Sequence, residues 1–368
     1  MKTFLIIMFF LMSKHILAQS VNFFGSLSPA KLSGAGDATT GSIKDQWNWG
    51  NFSTAGITVA GALSDKTKGL IQVIKAPYGK SDLDVDLMQI QTQLGEGIRL
   101  RAGKQRLPVW MNSEHIQVKA LYDWIDLPRE VYTKMPITSY EGLSLEKDWG
   151  DMMLLVYAGG ANQEYNLPSI QYAVTADELV GARLNYTADT WSFFVSALVT
   201  NGDIKVTQDR VISAPIKGKI DFSLQAQELQ LFSTGVRMMG ERWIFDSEYF
   251  YSEGKTDTWE EVSGFYCSPG IKLSENLSLR YTFSKDLTSD SYLTPSKTTT
   301  QSVLAVYAID LNQRVKVSVD QIDYSSESAT TTQIASVGNP SSSSNLSFQG
   351  LTKDRTFYMY ALEWAFVF

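Results

Sequence analysis

Two arginines, Arg99 and Arg101, stand two positions apart in the run IRLRAGKQR, and Arg106 ends that run. In a strand, with its side-chain period of two, Arg99 and Arg101 project to one side about 7 Å apart and repel each other. Such a pair is tolerable beside water or opposite a carboxylate. The next stretch, 108–137, supplies Glu114, Asp123, Asp126 and Glu130, and the last three are the expected partners. Arg183, Arg280 and Lys316 fall on the polar faces of other candidate strands. Opposed charges across a narrow, water-filled passage set up a transverse field in which polar solutes align and pass, while apolar ones are hindered. Arg99, Arg101, Arg106, Glu114, Asp123, Asp126 and Glu130 are therefore candidate constriction residues, and Arg183, Arg280 and Lys316 candidate lumen-lining residues. The competing reading is an ordinary charge-paired wall, since ion-pair networks are often structural.

Other chemistry is thin. Of two histidines, His15 lies in the leader described below, which leaves His115. Ser113 and Glu114 adjoin it, but catalytic triads are assembled by folding rather than from sequence neighbours. Glu114 and His115 lack a second or third ligand at metal-site spacing. GAGDATTG at 34–41 lacks the lysine and the strand-to-helix setting of a phosphate-binding loop, and reads as an external loop. Cys267 is the sole cysteine, so no intrachain disulfide is possible. The chain reads as a non-enzyme with no cofactor and no metal site.

What must position the charges is a set of strands. The ending FYMYALEWAFVF places Tyr358, Tyr360, Leu362, Trp364, Phe366 and Phe368 on one face, and Met359, Ala361, Glu363, Ala365 and Val367 on the other. A wholly apolar, mostly aromatic face on a terminal strand invites edge pairing in water, but suits a closed membrane barrel. Similar alternation sets Ile98, Leu100 and Ala102 against Arg99, Arg101 and Gly103. It also sets Val180, Ala182, Leu184 and Tyr186 against Gly181, Arg183 and Asn185; Leu277, Leu279, Tyr281 and Phe283 against Ser278, Arg280, Thr282 and Ser284; and Val315, Val317 and Val319 against Lys316, Ser318 and Asp320. Stretches 152–160 and 228–238 alternate poorly. Trp191 and Trp243 follow short turns on the apolar face, and Tyr249 and Tyr251 lie at the far end of theirs, as two aromatic girdles require.

Seven short turns (64–67, 95–97, 148–150, 187–189, 239–241, 274–276 and 311–312) alternate with longer polar loops. The expected strands are 21–33, 52–63, 68–76, 83–94, 98–107, 138–147, 151–160, 178–186, 190–200, 228–238, 242–252, 261–273, 277–284, 299–310, 313–324 and 356–368. That is an all-β, transmembrane antiparallel β-barrel of sixteen strands, or eighteen if 168–175 and 211–224 also cross. Segment 108–137 carries Trp110, Tyr122, Trp124 and Tyr132, rings that need burial. It reads as a constriction loop folded into the lumen, the alternative being a packed external lid.

Residues 1–18 open with Lys2 and an apolar run too short to span a bilayer, as a secretory signal peptide does; residues 19–368 form the barrel. Two of the 32 basic residues and none of the 39 acids fall in that leader, so the remainder carries a net charge of −9. This argues against nucleic-acid partners.

These segments resemble the Gram-negative porin superfamily of trimeric, sixteen-stranded diffusion porins. VNFFGSLSPAKLS is similar to the family's opening strand, and LRAGKQRLPVW to its fifth strand and the start of its constriction loop. ALYDWIDLPREVY followed by ITSYEGLSL looks like a branch of the superfamily. YALEWAFVF, with Tyr360, Leu362, Trp364, Phe366 and Phe368, resembles the assembly signal of outer-membrane barrels. The PEFGGD-like acidic run of enterobacterial constriction loops is absent. The resemblance implies an outer-membrane porin of a Gram-negative bacterium, passively conducting ions and small hydrophilic solutes. It also implies a homotrimer, contact with outer-membrane lipids and lipopolysaccharide, and recognition by the barrel assembly machinery. Other readings are a channel selective for anions or organic acids, and a non-conducting barrel acting as adhesin or receptor through loop 325–355.

Overall fold

The computed structural model describes residues 18–33, 46–49, 52–75, 83–134, 137–167, 170–211, 217–256, 259–291, 296–326 and 355–368. The proposed leader up to residue 17, the 34–41 run and most of loop 325–355 lie outside them. The strands are β1 (Ala18–Leu27), β2 (Ala30–Ser33), β3 (Thr54–Ala62), β4 (Thr67–Lys75), β5 (Asp84–Gly95), β6 (Ile98–Arg106), β7 (Ser139–Asp148), β8 (Met152–Leu167) and β9 (Ile170–Thr187). They continue with β10 (Trp191–Val211), β11 (Lys217–Met239), β12 (Trp243–Thr256), β13 (Trp259–Lys272), β14 (Leu277–Ser291), β15 (Ser296–Ala308), β16 (Gln313–Ser326) and β17 (Arg355–Val367). One short helix, α1 (Arg129–Tyr132), and two single 3-10 turns lie between β6 and β7.

Each strand from β3 onward pairs antiparallel with the next, and β1 and β2 both pair with β17, which closes the sheet. β1 and β2 are one wall strand interrupted at Ser28 and Pro29, where proline has no amide proton to give to a ladder. The wall is therefore sixteen strands around. Phe23 and Phe368 exchange backbone hydrogen bonds of 2.6 Å across the seam. All seven expected turns lie between paired neighbours. The eighteen-strand alternative is corrected. Residues 170–175 extend β9 along β8, and the described residues 211 and 217–224 extend the β10–β11 hairpin, so neither segment crosses separately. β10 and β11 run 21 and 23 residues, against the roughly 9–11 a tilted strand needs to cross. Their far ends stand beyond the membrane.

The outward face is the apolar one. Val180, Leu184, Leu279, Tyr281, Val317, Val319, Tyr358, Tyr360, Leu362 and Trp364 are all exposed, whereas Phe357, Met359, Ala361, Glu363 and Ala365 are buried inside. A closed wall satisfies its own backbone groups, and a continuous apolar exterior can face only lipid. Trp191 and Trp243 stand exposed at the turn end, with Tyr249 and Tyr251 on the same face further along. Among the described residues no helix is long and apolar enough to span a membrane.

The two poorly alternating stretches have a physical explanation. Leu155, Tyr157, Leu229 and Leu231 point inward and join the buried cluster that holds Trp110 and Tyr132. Their inner wall is apolar because it is covered by protein rather than by water.

Candidate functional site

The covering element is segment 108–137, and polar and apolar contacts fix it along its length to inward-facing side chains. Its first part is held through backbone groups. Ser196 Oγ donates to the Pro108 carbonyl at 3.2 Å, Ser233 Oγ donates to that of Val109, and Arg183 Nη1 donates to that of Trp110 at 2.5 Å. The Met111 amide donates to Glu248 Oε1 at 3.0 Å, and Tyr132 OH donates to Glu248 Oε2 at 2.9 Å. Trp110 is fully buried between Tyr132 and Phe250, with ring centroids 5.7 and 6.5 Å away. Ser113 Oγ accepts the Trp110 amide at 2.8 Å and so closes a turn, and His115 is exposed.

The middle part is ionic. Asp123 lies 2.7 Å from Arg280 and 2.9 Å from Arg314. Lys119 Nζ lies 3.1 Å from Glu363 and donates to the carbonyls of Phe52 and Ile125; Lys316 Nζ lies 2.8 Å from Glu363 and donates to those of Lys119 and Trp124. Trp124 Nε1 donates to Thr282 at 3.1 Å, with the Arg280 guanidinium 5.0 Å from its ring centre. In the last part Asp126 pairs with Arg129, Thr300 Oγ1 donates to Glu130 at 2.6 Å, and Lys134 pairs with Asp286 at 2.6 Å. Gly264 lets α1 press against β13, where any Cβ would overlap the Glu130 carbonyl.

Several sequence expectations change here. Arg99 and Arg101 do share a face, but their carboxylates are not Asp123, Asp126 and Glu130. Both pair with Glu146 of β7, at 3.0 and 2.6 Å, and Arg101 also with Glu114 at 3.2 Å. Glu146 sits opposite Arg99 in the ladder, so the nearest acid is a cross-strand neighbour. The acids further along the segment are taken up by Arg280, Arg314, Arg129 and Thr300. Arg106 forms a buried pair with Asp86 and does not stand free. Arg280 and Lys316, expected to line open lumen, are 3% and 0% exposed beneath the segment.

A cavity of about 580 Å³ opens near the turn end, beside the first part of the segment. Arg99, Arg101, Arg183 and Arg237 face it, along with Glu114, Glu146, Asp148 and Asp151. Arg237 is braced by Asp246 at 2.5 Å and donates to the Asn112 side chain at 2.9 Å. Glu146, Asp246, Glu248, Arg237 and Glu363 were not singled out from sequence. Asp246 and Glu248 stand two apart in a strand with Phe245 and Tyr249 on the other face, so alternation marks them as inward. Among the described residues no cluster of His, Cys, Asp or Glu could hold a metal ion.

Burial alone would raise the Asp123 pKa, but Arg280 and Arg314 outweigh it and hold the carboxyl below its ordinary range. A lowered carboxylate pKa gives stability that is complete above the unfolded value and lost as pH falls through the folded one. The stability gap between the parent and Asp123→Asn should therefore be constant above about pH 5 and shrink only below about pH 4. Acid titrations of near-ultraviolet circular dichroism on both proteins measure it. A gap already closing at neutral pH would contradict the pairing.

No protein-family model matches the chain, and no curated protein matches it in sequence. Solved structures do match in shape. OmpT of Vibrio cholerae, 11% identical, superposes with a TM-score of 0.59 over 96% of this chain and 100% of its own. The outer-membrane channel DcaP of Acinetobacter baumannii, 11% identical, gives 0.60 over 94% and 97%. An anion-selective porin from Comamonas acidovorans, 9% identical, gives 0.56 over 95% and 99%. At such identities the likeness is one of fold, and it joins the closed wall and apolar exterior already described. The chain has the sixteen-stranded, membrane-spanning fold of the Gram-negative outer-membrane porins.

Proposed function

We propose that the barrel is an outer-membrane porin, a water-filled channel for passive diffusion of ions and small hydrophilic solutes, narrowed by segment 108–137. The observation that carries this reading is the charged cavity left beside the segment, with Arg99, Arg101, Arg183 and Arg237 on its wall. The segment's anchoring along its length supports a fixed narrowing. Four arginines and four acids, Glu114, Glu146, Asp148 and Asp151, share the lining, so its formal charges balance and its chemistry suits charged and polar solutes of either sign. Export through removal of residues 1–18, and recognition of the terminal aromatics by assembly machinery, belong to the same reading. A trimeric form is described for Vibrio cholerae OmpT, and we propose a trimer here too, checked by cross-linking in membranes.

Planar-bilayer recording tests the channel. The parent should give stable, ohmic openings. Arg99→Gln with Arg101→Gln should move the reversal potential in a salt gradient toward cation preference, because Glu146 and Glu114 then lose their compensating charges. No openings from correctly folded parent protein would refute the channel. Identical reversal potentials in parent and variant would remove the two arginines from the conducting path.

A further inference from the structure

We propose that Glu363 is a positioning residue that couples closure of the barrel seam to the seating of segment 108–137. Its carboxylate is fully buried and gathers partners from separate parts of the chain. Ser28 Oγ, between β1 and β2, donates to Oε2 at 2.7 Å; Lys119, on the segment, lies 3.1 Å from the same oxygen; Lys316, on β16, lies 2.8 Å from Oε1. Both lysines are then completed by main-chain carbonyls: those of Phe52 and Ile125 for Lys119, and those of Lys119 and Trp124 for Lys316.

A buried ion cluster is a poor way to gain stability, because well-packed apolar groups of similar volume do as well or better. What it supplies is a condition. Glu363 faces Lys316 in the β16–β17 ladder, so these two meet once the last hairpin forms. Ser28 reaches Glu363 only when the first wall strand has docked on β17, since β1 and β2 flank it and both pair with β17. Lys119 also needs the Phe52 carbonyl, which precedes β3. An unclosed barrel offers Lys119 an incomplete site in which its charge would be buried with too few partners. A closed one offers the full set. The carboxylate on the closing strand thereby ties the segment's position to the seam.

The test uses the full chain refolded in lipid vesicles. Closure is read as resistance to SDS before heating, and seating as resistance to trypsin after Lys119, Arg129 and Lys134. Glu363→Gln should still close, but be cut within the segment about a hundredfold faster or more, because two buried lysines lose their counter-charge. Lys119→Met removes only the segment's side of the cluster and leaves Glu363 with Lys316 and Ser28. It should give a closed barrel cut faster at Arg129 and Lys134, and it decides the matter if Glu363→Gln does not close. During refolding of the parent, trypsin resistance of the segment should arise with the SDS-resistant form and never ahead of it. Resistance that precedes closure, or a closed Lys119→Met barrel as resistant as the parent, overturns the proposal. The conductance arm alone rests on the channel reading: both variants should pass larger, noisier currents. A silent parent whose variants are cut as expected would refute the channel and leave the coupling standing. Unchanged currents in variants that are readily cut would refute control of the bore by Glu363.

Discussion

Replacing Trp110 with alanine is expected to cost about 3–5 kcal/mol, the usual penalty for truncating a fully buried large aromatic residue. The loss should fall on the seating of segment 108–137 rather than on the barrel. The indole is stacked between Tyr132 and Phe250 and takes no part in the ladders that join β10, β11 and β12. Those ladders close without it. The void would also loosen its neighbours, because the Trp110 carbonyl holds Arg183 and the next amide holds Glu248. The variant should therefore migrate as a closed barrel before heating, while its single-channel conductance rises and fluctuates. Trp191→Ala is the control. Trp191 faces outward in the turn-end girdle, so its removal should leave conductance unchanged. A Trp110→Ala channel as quiet as the parent would mean that the ion pairs around Asp123, Lys119 and Lys134 hold the segment unaided.

That experiment also marks where sequence reasoning ends. The wall was legible because lipid demands one thing of every outward side chain. Ile98, Val180, Leu279, Val317 and Tyr360 follow a period of two that no local context disturbs. The rule fails at Leu155 and Leu231, where a third element covers the inside and both faces become apolar. The need to bury Trp110 and Trp124 was visible in the sequence, but which wall received them was not. Ion pairing was the least legible part. Arg101 finds Glu146 because β6 and β7 pair in one particular register, and shifting it by a residue would turn one of the two to lipid. Asp123 finds Arg280 and Arg314 across 157 and 191 residues of chain. Pairing by proximity in sequence suggested Arg99 and Arg101 as its partners because their strand leads into the segment, and folding carried Asp123 to the opposite wall.

Insertion is where the outward register carries its largest penalty. Val303 lies in a row of exposed side chains with Tyr281, Val319 and Tyr360, one from each of four neighbouring strands. Five residues separate it from the end of β15 at Ala308. At about 3.3 Å per residue, with a tilt near 40°, that is roughly 13 Å above the turn, close to the middle of an apolar band about 25 Å tall. Val303→Arg should therefore cost about 2–4 kcal/mol of folding stability in lipid. Leu279 occupies the same outward face, but only two residues from the start of β14, near the headgroups. There an arginine can reach water, and Leu279→Arg should cost about 0–1 kcal/mol. Ser192 lies on the inner face beside the charged cavity, so Ser192→Arg should refold as the parent does. Urea titrations of the three variants in vesicles would rank them Val303→Arg far below the other two. Equal penalties at Val303 and Leu279 would mean that depth in the bilayer does not set the cost, and a larger one at Ser192 would invert the assignment of inside and outside.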